Sequence, residues 1–154
     1  MKKLSLITFF SILIDQIIKY VISFNMGLNQ TIEIIPNFFN ITYVENKGAA
    51  FSILSGNRLF LILISFLALN IIYFMFIYNK KLKNKDCILY GLLIGGIIGN
   101  LVDRILYGYV IDYLDFNIFG YNYPIFNLAD ILIVISVILI VIFEIKVKNE
   151  NNSN

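Results

Sequence analysis

LFLILISFLALNIIYFMFIY, residues Leu59 to Tyr78, contains no charged side chain, no glycine and no proline. A run of roughly 20 apolar residues, rising about 1.5 Å each, matches a hydrocarbon core of about 30 Å and reads as a membrane-spanning helix. Three comparable runs surround it: Leu4 to Phe24, about Cys87 to Leu106, and about Leu128 to Ile145. With 59% hydrophobic residues, 16% aromatic and only 14% charged, the chain is too apolar for a soluble monomer. Its 154 residues supply four spans and short connections with no room for a second domain. The expected class is an all-α polytopic membrane protein, a single membrane-embedded domain over residues 1–154.

Four spans put both termini on one side, and the lysines choose the side. Lys2 and Lys3 precede span one, Lys80, Lys81, Lys83 and Lys85 fill the connection between spans two and three, and Lys146 and Lys148 follow span four. The positive-inside rule makes that compartment the cytoplasm. The opposite segments, about 25–57 and 107–124, carry Glu33, Glu45, Asp112 and Asp115, with Lys47 and Arg58 as basic exceptions. In the first, Phe39-Asn-Ile-Thr-Tyr-Val-Glu45 alternates β-branched and aromatic residues with polar ones ahead of Asn46-Lys-Gly48, which predicts a small β-cradle on the outer membrane face. The second is rich in tyrosine and phenylalanine, which favour the membrane interface.

Span one starts like a secretory signal, but it contains Asp15 and Lys19 and no small-x-small site follows, so it is expected to be retained. The net charge of +2 is accounted for by the lysine end, leaving nothing to indicate nucleic acid as a partner. A single cysteine, Cys87, excludes an internal disulfide and is expected as a buried or lipid-facing thiol. The Asn-rich tail from Asn149 is expected to be disordered.

Charged groups inside a bilayer cost several kcal/mol unless paired or solvated, so the polar residues within the spans carry most of the information. Counting along the helices places Asp15 near the midplane, and Lys19, Asn100, Asp103, Arg104 and Asp130 in the outer half. Asp15 and Lys19, at i and i+4, form either an ion pair that makes span one tolerable or part of a site. Gly91, Gly95 and Gly99 recur every fourth residue, a spacing that favours close helix packing over chemistry. Asn100 and Asp103 continue near that face, with Arg104 free to pair or to reach headgroups. Asn127 and Asp130 have the spacing of a capping pair at the start of span four.

Asp112 follows span three with no base nearby; it is either a solvated loop acid or, if the connection turns back at Gly120 and Pro124, a partner for Asp130. Two carboxylates in contact do not both ionise cheaply, so one keeps a proton while the other accepts one, as activation of water against a peptide carbonyl requires. With no histidine in the chain, Ser-His-Asp triads, Ser-His pairs and H-E-x-x-H zinc sites are excluded. Acid-based hydrolysis and a Ser-Lys dyad remain; for the dyad Lys47 could pair with Ser52 or Ser55, although an exposed lysine holds its proton and is a poor base. The Gly-x-Gly-Asp signature of presenilin-like proteases is absent. The rival classes are a small proton-coupled transporter using Asp15 as carrier, and a noncatalytic scaffold.

Five ordered blocks resemble the bacterial lipoprotein signal peptidases, also called signal peptidase II. They are Asp15-Gln-Ile-Ile-Lys19, Asn46-Lys-Gly-Ala-Ala-Phe51, Gly95-Gly-Ile-Ile-Gly-Asn-Leu-Val-Asp-Arg104, Val110-Ile-Asp-Tyr113 and Phe126-Asn-Leu-Ala-Asp130. One departure is Tyr113, where the family usually has phenylalanine; an aromatic replaces an aromatic. The resemblance implies a metal-independent aspartyl endopeptidase, without cofactor, that removes signal peptides from diacylglyceryl-modified prolipoproteins by cutting before the lipidated cysteine. By the family pattern Asp112 and Asp130 match the catalytic dyad. Asp15, Asn46, Asn100, Arg104 and Asn127 match positions that line or brace the site, and Lys19, Gly48 and Asp103 match further motif positions. The resemblance also implies that the family's external cradle corresponds to residues 25–57 and its small outer helix to residues 107–124, expected here as a short external helix or loop. The expected setting is a monomer in membrane lipid of the bacterial cytoplasmic membrane, with its site toward the outer leaflet.

Overall fold

A computed structural model describes residues 1–48 and 56–152. Its helices are α1 (Lys2–Asn25), α2 (Arg58–Ile72, continued by a π-helical turn Tyr73–Ile77), α3 (Asn84–Leu106) and α4 (Leu128–Asn152). All four contain segments long and apolar enough to cross a membrane. α3 occupies the centre, with α1, α2 and α4 each packed against it.

Small residues set the helix spacing. A Cβ added at Gly91 would lie 2.8 Å from Ile7 Cγ2, one at Gly95 would run into Ser11, and one at Gly99 would meet Asp15 Oδ2 at 2.6 Å. The stripe is therefore the α1 contact of α3, which fits the packing reading of these glycines. Gly96 does the same toward α4, since its Cβ would meet the Ala129 carbonyl oxygen at 2.6 Å. At the lysine end Leu4, Ile72, Ile77, Cys87, Tyr90 and Leu93 form a core cluster, so Cys87 is buried rather than lipid-facing.

The opposite end carries a four-stranded antiparallel sheet in the order β1-β2-β3-β4: β1 (Thr31–Ile35), β2 (Phe39–Asn46), β3 (Val110–Ile118) and β4 (Tyr121–Asn122). β2 is the expected strand. The expectation for residues 107–124 is corrected, because the segment forms strands and not a helix or loop. β3 pairs with β2, matching Asn46 to Val110, Val44 to Asp112 and Ile41 to Leu114, so the two long connections share one sheet. The class is thus a helical bundle with an antiparallel sheet, not all-α. The reason lies in Val110-Ile-Asp-Tyr-Leu-Asp-Phe-Asn-Ile118, where β-branched and aromatic residues alternate with acids and amides.

A two-residue turn closes the β3–β4 hairpin between Ile118 and Tyr121. Phe119 and Gly120 both take positive φ, 52° and 82°, as a type I′ turn demands, and Asn117 Oδ1 accepts the Gly120 N–H at 2.9 Å. Ile22 and Met26 of α1 pack with Tyr43, Ile111 and Tyr113, seating the sheet on the bundle. α4 runs to Asn152, as no glycine or proline stops it after Leu128. Ser52 and Ser55, and Ala49 to Phe51 of the second motif block, lie outside the described residues.

Candidate active site

α1 and α3 meet at the sheet end through a buried cation. Lys19 Nζ lies 2.9 Å from Asp15 Oδ2 and 2.8 Å from Asp103 Oδ2. It donates its third bond to Asn100 Oδ1 at 2.9 Å. Lys19 is 1% exposed and both acids 0%, so the cation is fully desolvated and all three of its donors are used. The acids reach further. Asp15 Oδ1 accepts the Ala129 N–H of α4 at 3.0 Å, and Asp103 Oδ2 accepts the Ile111 N–H of β3 at 3.2 Å. One ion cluster therefore ties α1, α3, α4 and the sheet together.

The first turn of α4 starts at Asn127, which caps it reciprocally with Asp130. The Asp130 N–H donates to Asn127 Oδ1 at 3.0 Å, and the Asn127 N–H donates to Asp130 Oδ2 at 3.1 Å. Early helical amides have no intrahelical acceptor, so others supply it. Ala129 uses Asp15, and Leu128 uses the Tyr113 hydroxyl at 3.2 Å.

The two remaining acids are held by neutral amides. Asp112 is 2% exposed, which rules out the solvated loop reading. Its Oδ1 accepts from Asn127 Nδ2 at 2.6 Å and its Oδ2 from Asn46 Nδ2 at 2.8 Å. Asp130 Oδ1 accepts from Asn100 Nδ2 at 2.8 Å. Asn127 thus contacts both acids, with its side chain on one and its backbone on the other.

Asp112 and Asp130 open onto a cavity of about 700 Å³ that Asn46, Asn100 and Arg104 also line. Its other walls are apolar: Phe38, Phe116 and Phe126 on one side, Ile131 and Val134 of α4 on the other. Phe116 stacks between Phe39 and Phe126, with ring centroids 4.6 Å and 5.7 Å away. Arg104 Nη2 donates to the Gly48 carbonyl at 3.0 Å, fastening α3 to the end of β2. Gly48 is itself fixed by donating its N–H to Asn46 Oδ1 at 2.9 Å.

Burial, and after it the charge of Asp130, raises the Asp112 carboxyl from the usual range to about 7, against the opposing bonds from Asn46 and Asn127 and the charge of Lys19. Asp112 is thus an acid able to gain or lose a proton near neutrality, set beside a second acid at a mostly apolar cavity.

All ten residues singled out in the sequence fall into this one network. Asn46, Asn100, Arg104, Asp112 and Asp130 line the cavity. Asp15, Lys19 and Asp103 form the ion cluster behind it, Asn127 links the two acids, and Gly48 anchors Arg104. Lys47 is exposed. Sequence reasoning passed over three contributors. Gln16 donates to Asp103 Oδ1 at 2.8 Å and to the Gly99 carbonyl at 3.2 Å; its place three residues before Lys19 was the available signal. Arg58 donates to the Arg104 and Ile105 carbonyls, both at 2.7 Å, closing the C-terminal end of α3. The Tyr113 hydroxyl was passed over as an aromatic exchange.

A family model described as Signal peptidase (SPase) II matches residues 7–146. The lipoprotein signal peptidase of Staphylococcus aureus (strain JH9) is 43% identical over 141 residues, covering 92% of this chain and 86% of that protein. A solved bacterial membrane enzyme, determined by the in meso method at 2.3 Å, superposes with a TM-score of 0.87 at 40% identity, covering 95% of this chain and 89% of the other. A second, determined by the same method at 1.9 Å, gives 0.84 at 40% identity, with 95% and 94% covered. The ion cluster, the amide-held acids and these likenesses over nearly the whole length agree: the chain belongs to the signal peptidase II family.

Proposed function

We propose that this protein removes signal peptides from diacylglyceryl-modified prolipoproteins, cutting before the lipidated cysteine, with Asp112 and Asp130 as an aspartyl dyad that needs no metal. The observation that carries the chemistry is the pair itself: two acids joined through Asn127 at the edge of one cavity, with Asp112 poised near neutrality. In this reading the pair shares one proton. The ionised carboxylate takes a proton from water as its oxygen attacks the scissile carbonyl, while the protonated partner donates to the carbonyl oxygen. Collapse of the tetrahedral intermediate breaks the C–N bond and passes a proton to the leaving amine. The products are a signal peptide carboxylate and a mature chain with a free amino terminus on the lipidated cysteine.

Family and helices together make this a multi-pass protein of the bacterial inner membrane. Its orientation is part of the proposal: the lysine end is cytoplasmic and the sheet end faces outward, where the substrate's lipid and cleavage point reside in the outer leaflet. Of single cysteines introduced at Lys83 and at Asn117, only Asn117→Cys should react with an impermeant thiol reagent in intact cells, and Lys83→Cys only after the membrane is permeabilised; labelling of Lys83→Cys in intact cells would invert the topology. Polar contacts among the described residues do not extend the charged network past Asp15 toward the lysine end, where Thr8 and Ser11 meet α3 at Gly91 and Gly95. The transporter alternative gains no support from this.

The chemistry is tested in detergent micelles with purified protein, a diacylglyceryl-modified prolipoprotein, excess chelator and Asp112→Asn as control. Cleavage by the wild type and none by the variant is the expected result. Cleavage that stops on adding chelator, or that persists in Asp112→Asn, overturns the aspartyl reading.

A further inference from the structure

β3 carries Asp112 and α4 carries Asp130, so the separation of the pair depends on how the first turn of α4 is held against β3. Backbone bonds begin the attachment. Tyr113 N and Leu114 N donate to the Phe126 carbonyl at 3.0 Å and 2.8 Å, and Phe126 N returns to the Leu114 carbonyl at 3.2 Å. These bonds end before the helix starts. Tyr113 reaches past them: its phenol oxygen, in a side chain 4% exposed, accepts the N–H of Leu128, the first residue of α4.

We propose that the Tyr113 hydroxyl is a positioning residue of the peptidase, holding the first turn of α4 against β3 and thereby setting Asp130 relative to Asp112. The inference rests on the dyad reading above. Alternation along β3 turns Tyr113 away from the cavity face that Asp112 occupies, toward Ile22, Met26 and Ile111. Tyr113 therefore acts on the site without lining it. Its surroundings keep it neutral and able to accept: burial, and then the charges of Asp15 on α1, Asp130 on α4 and Asp112 on β3, push its pKa upward. A phenylalanine fills the same space but takes away the acceptor of the half-buried Leu128 amide.

Tyr113→Phe isolates this bond. With the diacylglyceryl prolipoprotein in micelles, kcat is expected to fall about fivefold, the effect of one lost hydrogen bond, with KM unchanged. The pH-rate profile should shift as well, because among the charged groups around Asp112, namely Asp130 on α4, Lys19 on α1 and Arg104 on α3, Asp130 is carried by the first turn of α4 and moves with it. Leu128→Pro removes the donor instead, at a first helical position where proline is well tolerated. It should produce a similar fall, and the double variant should be no worse than either single one. Wild-type kcat in Tyr113→Phe, effects that multiply in the double variant, or activity lost only in step with the folded fraction at an unmoved pH profile would each overturn the proposal. Asp112→Asn separates the two levels: cleavage by that variant removes the dyad itself, whatever Tyr113→Phe does.

Discussion

Asp15 and Asp103 share a lysine, whereas Asp112 and Asp130 share asparagines. All four acids lie at the same end of the bundle, and three of them are almost completely buried. The difference is in what offsets their burial. A cation between two carboxylates offsets their charge and ties α1 to α3, with Lys19 bonded to both acids. Amide donors also stabilise carboxylates but leave the net charge in place, so Asp112, beside Asp130, gains a proton readily. Paired acids build the wall, and amide-held acids keep chemical freedom. Asn100 connects the regions, accepting from Lys19 and donating to Asp130, so the cation cluster helps to place Asp130.

Exchanging one acid from each region should separate their roles most strongly. Asp112→Asn should abolish cleavage, with at least a thousandfold loss expected on the order seen for catalytic groups. The folded protein should melt at or above the wild-type temperature, because a buried carboxylate has become a neutral isostere. Asp103→Ala should do the opposite, lowering stability or expression through the uncovered Lys19; a normal melting point would remove it from the structural cluster. Lys19→Met tests the same cluster from its cation, leaving Asp15 and Asp103 face to face at a cost of about 3–5 kcal/mol in unfolding free energy.

Smaller changes sharpen the picture. Gly99→Ala would press a methyl group on Asp15 Oδ2, forcing α1 from α3, and should destabilise by about 1–3 kcal/mol. Denaturant titration in micelles checks the value. The pH dependence follows from Asp112. A carboxyl whose folded pKa is raised binds its proton more tightly in the folded state. Its contribution is therefore complete below the usual carboxylate range and is lost as pH rises toward about 7. The slope from this one proton is at most about 1.4 kcal/mol per pH unit, and it should vanish in Asp112→Asn. An unchanged slope in the variant would assign it to another group.

The spans, and the polar residues that the structure gathers at one end, were legible for two reasons: in an apolar chain every intramembrane acid, amide and lysine is costly enough to carry information, while Asn46 and Gly48, outside the spans, stood out only through the ordered blocks that resemble the family. The glycine stripe was legible as packing because its period matches one face of a helix. Pairing between distant segments was not legible. Nothing local in Val110–Ile118 says that its partner is Phe39–Asn46, and its aromatic residues suit an interface as well as a strand. The π-helical turn at Tyr73–Ile77 has no comparable signature among its apolar residues. Tyr113 shows the limit of comparing residue types, since its ring is expected by analogy while its oxygen has a bond of its own.

The amide of Ala129, early in the last helix, is held by Asp15 of the first. During synthesis the ribosome therefore delivers the two ends of this contact almost a whole chain apart in time. Until the final helix arrives, Asp15 has only Lys19 and Gln16 for partners on its own helix, and no second acid stands opposite Asp112. On the dyad reading proposed above, the nascent protein is inert by order of manufacture, and a chain truncated before residue 127 is expected to lodge in the membrane without peptidase activity.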